Sequence, residues 1–271
     1  MANPHRKIAF VLASTNHGTL ITNRFDYCSA AQEPAFGVGH EILETGSFCA
    51  SEVKLALHIL ETRRRHFGDG VLALDCGANI GVHAIEWARR MTGWGRVIAF
   101  EAQERIFYAL AGNIAINNCF NASVVHCALS DTIGDMKIPS PDYLKPASFG
   151  SLELVQRPNE EYIGQPISRA EADLVPVRSL TIDSMNFDRV DLIKIDVEGM
   201  ELAVLEGAAN CVAANKPVLL VEALKSDLTK LEDWLSSQGY VVLRSGINFV
   251  AIHRSDKCLA HVVQEPSAPS D

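Results

Sequence analysis

Four apolar runs in this chain end on a carboxylic acid, and helix-patterned segments separate most of them. The runs are VLALD (71–75), RVIAFE (96–101), VDLIKID (190–196) and PVLLVEA (217–223), the last carrying its acid at Glu222. A strand buried on both faces reads as a continuous apolar run, and parallel neighbours need a long crossover, usually a helix. Ile80, Ala84, Trp87, Ala88 and Met91 share one helical face between the first two runs. Ile106, Phe107, Leu110 and Ile114 share another after the second. ASVVHCALSD (122–131) reads as a further strand that ends in small and polar residues. MELAVLEGAANCVA reads as a helix, and so does the segment with Leu231, Trp234 and Leu235, where Thr229 and Glu232 have capping-box spacing. YVVLRS and NFVAIHR form a hairpin around Gly246, which adds an antiparallel strand. The pattern predicts an α/β domain with a mostly parallel sheet and helices on both faces.

Residues 1–50 read as a β-rich extension. IAFVLAS and TLITNRFDY flank Asn16-His17-Gly18, a hairpin turn, and GHEILETGSF reads as another strand. The main domain then runs over 51–258. It opens with the amphipathic helix SEVKLALHILETRRRHF (51–67), whose cluster Arg63-Arg64-Arg65-His66 reads as a solvated end that complements the helix dipole. Residues 139–176 lose all periodicity and carry Pro139, Pro141, Pro146, Pro158, Pro166 and Pro176. An irregular insertion this long is a lid, a binding loop or disorder. Residues 259–271 read as a flexible tail.

The 24 basic and 33 acidic side chains leave a net charge of −9, which argues against a nucleic-acid partner. The seven cysteines form no C-x-x-C pair and read as buried thiols in a reducing compartment. IAFVLA is too short for a signal sequence, and no run approaches the roughly 18 apolar residues of a membrane span. A cytoplasmic protein without an integral membrane segment is the expectation. Nothing in these patterns fixes an oligomeric state.

The loop after the first run reads D-C-G-A-N-I-G (75–81). A dinucleotide site would show G-x-G-x-x-G and offer amides to a pyrophosphate. Here one glycine is missing, and Asp75 would repel phosphate. A ligand with an ammonium and a sulfonium but no phosphate is attracted instead, and S-adenosylmethionine has that chemistry. Gly77 allows close approach of the backbone. Glu101, at the end of the second run and followed by Ala102, can accept both ribose hydroxyls. Ser130 and Asp131 end the third run where an adenine edge would lie. Cys76 and Asn79 shape the turn, and Asn79 is also a candidate ligand contact. His83 and His126 read as packing residues, whereas His17 and His40 are candidates for lining an acceptor pocket.

LIKIDVEGMELAVLEGA (192–208) is the most distinctive stretch. Lys194 and Asp196 alternate onto one strand face, where a lysine needs an acidic partner. Together with DCGANIG, the Phe100-Glu101 pair, ALSD and SFGSLEL (148–154), this stretch resembles the FkbM-type family of S-adenosylmethionine-dependent methyltransferases. The resemblance spans roughly residues 70–250. It implies a Rossmann-like seven-stranded class I methyltransferase sheet and methyl transfer, usually to a hydroxyl of a sugar, polyketide or other natural product. It assigns Asp75, Gly77, Asn79 and Gly81 to the cofactor loop, Glu101 to the ribose and Ser130-Asp131 to the adenine. Asp196 would face the methionine end and the acceptor.

A hydroxyl is a poor nucleophile, so a base must take its proton during transfer. Asp196 and Glu198 are favoured for this role; Lys194 and Glu222 are the other candidates, with Lys194 read as an ion-pair partner of Asp196. No metal is required, although Asp196, Glu198 and Glu222 offer the oxygen ligands that Mg²⁺ prefers. The expected partner is a small-molecule or glycan acceptor. The alternatives are N-methylation of an amino sugar, a dinucleotide-dependent oxidoreductase and a non-catalytic binder of adenosyl ligands.

Overall fold

The computed structural model describes residues 6–29 and 35–262. Strands β1 (Phe10–Thr15) and β2 (Gly18–Asn23) form the N-terminal hairpin, with Thr15 opposite Gly18 across the predicted turn. Helices α1 (Val38–Thr45) and α2 (Ala50–Phe67) follow. The segment read as a strand, GHEILETGSF, is therefore mostly helical. Ile42 of α1 is buried against the core, and Gly46 ends the helix in the left-handed conformation at φ 69°.

The central unit then alternates as expected: β3 (Val71–Cys76), α3 (Val82–Arg90), β4 (Gly95–Glu101), α4 (Glu104–Ile116) and β5 (Ala122–His126). A small sheet intervenes, made of β6 (Ala128–Leu129), β7 (Gly134–Ile138) and β8 (Val175–Leu180). The chain returns through β9 (Leu192–Ile195), α5 (Glu201–Glu206), α6 (Ala209–Asn215), β10 (Val218–Glu222) and α7 (Leu228–Ser237). The hairpin of β11 (Tyr240–Ser245) and β12 (Asn248–His253) completes the sheet, and α8 (Leu259–Val262) follows it. That last helical turn occupies the start of the expected tail; residues 263–271 lie outside the described residues.

The main sheet has the order β11-β12-β10-β9-β3-β4-β5, with β12 antiparallel to both neighbours. Side chains alternate across it. Val71, Ala73, Val97, Ala99 and Leu192 join the core under α2, α3 and α4. Leu72, Leu74, Phe100, Ile193 and Ile195 join the core under α5, α6 and α7. Strand order reverses between β3 and β9, so the cleft beyond their carboxyl ends is the site this topology favours for a ligand.

Three further details correct the sequence reading, and a fourth shows how the insertion is held. The third strand stops at His126; the Cys127 N–H donates to the Glu101 carbonyl, and Ala128–Leu129 then pair with Ser179–Leu180 in the small sheet. The cap of α7 is Asp227, whose side chain accepts from the Lys230 N–H. Arg63 is buried rather than solvated, because Asp191 and Asp256 pair with it. The insertion is held by specific bonds to the N-terminal segment. Asp26 accepts N–H groups from Phe149 and Gly39, both at 2.9 Å, and Asn23 Nδ2 donates to the Tyr143 carbonyl.

Candidate active site

A cavity of about 320 Å³ opens at the carboxyl edge of β3, β4, β9 and β10. Three segments enclose it: the glycine loop and the start of α3, the insertion around Gly150, and the stretch from Phe36 to Glu52.

Most of the predicted site residues meet there. Gly77, Asn79, Gly81, Glu101, Ala102, Lys194, Asp196, Glu198 and Glu222 all line the cavity. Three others do not. Asp75 is fully buried behind the loop with both carboxylate oxygens lacking a hydrogen-bond partner. It sits beside Lys194 in strand register. Burial raises its pKa, opposed by Lys194 and His83. Ser130 and Asp131 left the main sheet with β6, and Ser130 Oγ donates to the Asp131 side chain instead. Cys127, Ala128 and Leu129 form the wall at that point.

The two loop glycines serve the protein's own packing. A Cβ on Gly77 (φ 81°) would lie 1.8 Å from the Asp196 carbonyl oxygen, and one on Gly81 (φ 92°) would strike Leu110. Close contact between the β3 and β9 turns, more than room for a ligand, excludes a side chain at Gly77.

Glu101 is fixed at the end of β4. Its two oxygens accept the N–H groups of Asn79 (3.0 Å) and Gln103 (2.8 Å). Each oxygen has a second lone pair, so the carboxylate keeps acceptor capacity even with the Ala102 N–H also directed at it. Burial pushes its pKa up to about 7 despite these bonds.

Across β3 the charges are mixed. Lys194 Nζ donates to Asp196 at 2.8 Å. Burial would lower the lysine's pKa, but Asp196, Asp75 and Glu52 together raise it. Glu198 holds its backbone in the left-handed region at φ 55°, a strained conformation of the kind that clusters at functional sites. Its carboxylate meets Lys225 Nζ at 2.5 Å. The same ammonium reaches Glu161 at 2.7 Å and the Ser151 carbonyl at 2.9 Å, and so ties the insertion to the turn after β9. Burial lifts Glu198 to about 7, against the pull of Lys225. Glu222 has no cation within ion-pair distance among the described residues; burial, then Asp196 and Glu198, drive its pKa upward. Oxygens of Asp196, Glu198 and Glu222 lie within 4.8 Å of one another, close enough to ligate a single cation.

Several residues escaped the sequence reading. His83 lines the cavity, with Nε2 3.2 Å from Glu52 Oε1. The two atoms stand within ion-pair distance, yet Nε2 lacks an aligned hydrogen bond. Glu52 Oε2 accepts from Asn248 Nδ2 at 3.0 Å. Burial would raise the Glu52 pKa, but His83, Lys194 and Asn248 outweigh it and hold it at about 2. The one local signal was an acid in the first turn of α2, next to the buried Val53. His17 and His40 do not line the cavity. His17 Nδ1 pairs with Glu86 at 2.9 Å while its Nε2 accepts the Phe48 N–H, and His40 packs on Tyr27. His126 stacks on Phe107.

A family model described as the Methyltransferase FkbM domain matches residues 75–242. Methyltransferase sdnD of Sordaria araneosa is 27% identical over 153 residues, 49% of this chain and 59% of that protein. Methyltransferase 1 of Beauveria bassiana is 24% identical over 189 residues, 65% of this chain and 74% of that one. The chain thus spans little more than half the length of the first of these relatives. The crystal structure of methyltransferase FkbM from Methylobacillus flagellatus aligns with a TM-score of 0.47 and 20% identity, covering 68% of this chain and 43% of that one. The family match takes in well over half of the chain, from the acid that ends β3 to the first strand of the terminal hairpin, and the protein belongs to the FkbM methyltransferase domain family.

Proposed function

We propose that the chain is an S-adenosylmethionine-dependent methyltransferase that methylates a hydroxyl of a sugar, glycan or small natural product. The observation that carries this reading is Glu101: a buried carboxylate, fixed by two backbone N–H groups, with acceptor capacity left over on the wall of the same cavity as Asp196, Glu198 and Glu222. A lining whose charged groups are mostly carboxylates suits a ribose and a sulfonium and disfavours a pyrophosphate. The bound cofactor would supply an electrophilic methyl group.

The chain's own task is to hold the acceptor oxygen in line with that methyl group and remove its proton. Positioning of this kind is worth up to roughly 7–11 kcal/mol of the barrier. Glu198 is the base in this reading. Its pKa near 7 suits proton transfer at neutral pH, and Lys225 fixes its direction. Asp196, oriented by Lys194, faces the reacting centre from the end of β9. Glu222, which burial and its acidic neighbours hold toward the protonated form, lines the wall beside them. Glu101 and the Asn79 loop hold the nucleoside.

S-adenosylhomocysteine should raise the melting temperature and NAD should not; the opposite outcome removes this reading. A homocysteine-release screen over neutral, amino and phosphorylated sugars then identifies the acceptor. With it, Glu198→Gln should lower kcat by about 10²- to 10⁴-fold while leaving S-adenosylhomocysteine affinity intact. Normal turnover by that variant would move the base elsewhere.

A further inference from the structure

We propose that Glu52 and His83 are cofactor ligands: with the Lys194–Asp196 pair they form a subsite for the amino-acid end of the cofactor, Glu52 taking its ammonium and His83 and Lys194 its carboxylate. The inference rests on the cofactor reading above and assigns residues to the part of the ligand that Glu101 does not reach.

Position is the first argument. Glu101 ends β4, and the sheet order sets Lys194 and Asp196 on the opposite side of β3. Glu52 comes down from α2 onto the same side and bonds to Asn248, whose strand lies beyond β10. An elongated ligand with its ribose at Glu101 has its other end at this cluster.

Charge is the second. The amino-acid end of the cofactor is a zwitterion and needs both signs within one small space. Among the described residues that line the cavity, Lys194 and His83 are the only ones with basic side chains, and both stand here beside Glu52 and Asp196. Every other charged group on the wall is a carboxylate.

The third argument is an unmet polar atom. His83 is 6% exposed, and its Nε2 is buried without a hydrogen-bond partner although a carboxylate stands 3.2 Å away. A buried nitrogen in this state is costly unless something completes its bonding, and a ligand carboxylate would do so. Glu52 and Asn248 both lie outside the span of the family match, so this half of the subsite is built from the parts of the chain beyond 75–242.

The test compares two probes by titration calorimetry. S-adenosylhomocysteine carries the amino-acid end; 5′-methylthioadenosine lacks it. The wild-type chain should bind the first more tightly. Glu52→Gln should weaken S-adenosylhomocysteine by about 10- to 100-fold and leave methylthioadenosine within about twofold, which also shows that the variant is folded. His83→Gln should split the two probes in the same direction and carries the test if the first variant does not fold. Equal loss for both probes, or no loss for either, overturns the subsite. Equal affinity of the wild type for both probes does so too while leaving the methyltransferase reading intact, whereas failure of the wild type to bind either one removes that reading itself.

Discussion

Replacing Glu101 with glutamine should separate what this residue does for stability from what it does for binding. The folded chain raises the carboxyl pKa from 4.5 to about 7, with burial as the largest cause. A raised carboxyl binds its proton more tightly in the native state than in the unfolded one. Its contribution to stability is therefore full below pH 4.5, falls as pH rises, and is gone above about pH 7. At about 1.4 kcal/mol per pH unit, that interval amounts to about 3 kcal/mol. Glutamine does not titrate. Its single amide oxygen can serve only one of the two N–H groups of Asn79 and Gln103 well, and that penalty is independent of pH. Asp26 and Glu198, which burial also shifts upward, titrate in both proteins and cancel in the difference. Urea unfolding at pH 5, 6, 7 and 8 measures the difference between wild type and Glu101→Gln. It should fall by about 2–3 kcal/mol from pH 5 to pH 8, so that the variant gains relative stability as the medium becomes alkaline. The same variant should bind S-adenosylhomocysteine at least about tenfold more weakly at pH 8, where the wild-type carboxylate is charged. A difference that stays flat with pH would refute the assignment of Glu101 as a buried acid whose pKa the fold raises.

Three other substitutions probe the frame around the site. Arg63→Met strands the buried Asp256 without its cation and leaves Asp191 to Arg189 alone; it should reduce unfolding free energy by about 3–5 kcal/mol in urea titrations. Gly77→Ala forces a methyl group to within 1.8 Å of the Asp196 carbonyl at a left-handed φ; it should lower the melting temperature and abolish the shift given by S-adenosylhomocysteine. Asp26→Asn can accept well from only one of the Phe149 and Gly39 N–H groups, so limited proteolysis should cut residues 139–176 faster than in the wild type.

The sheet was legible because its signal is local. Each central strand is a short apolar run followed by a helix period, and Val71 to Cys76 is buried at every position. The strand read through Ser130 and Asp131 ends early because its end is set by a distant partner. Ala128–Leu129 pair with Ser179–Leu180, some fifty residues on, and nothing in ALSD announces that exchange of sheets. GHEILETGSF offered three large apolar residues, Ile42, Leu43 and Phe48, too few to tell a period of two from one of 3.6. The cluster at the end of α2 failed differently: Arg64 and Arg65 behave as a charged end should, while Arg63 points inward to two aspartates, 128 and 193 residues away in sequence.

The same distinction explains why the two ends of the cavity were unequally readable. Glu101, Lys194, Asp196 and Glu222 stand on strands whose order the fold dictates, so a residue type at a strand end already implies a place on the rim. Glu52, His83 and Asn248 acquire their meaning only from one another. They lie on α2, α3 and β12, and Glu52 and Asn248 are 196 residues apart. Neither an acid in the first turn of a helix nor an asparagine at the start of a strand is unusual alone. What makes them a site is that α2 covers the same sheet face on which Lys194 alternates, so that a buried cation and a buried imidazole face one carboxylate. Electrostatics over a few ångströms created by contacts over nearly two hundred residues is information that a one-dimensional pattern does not hold, and it is where the selectivity of this chain for its ligands is decided.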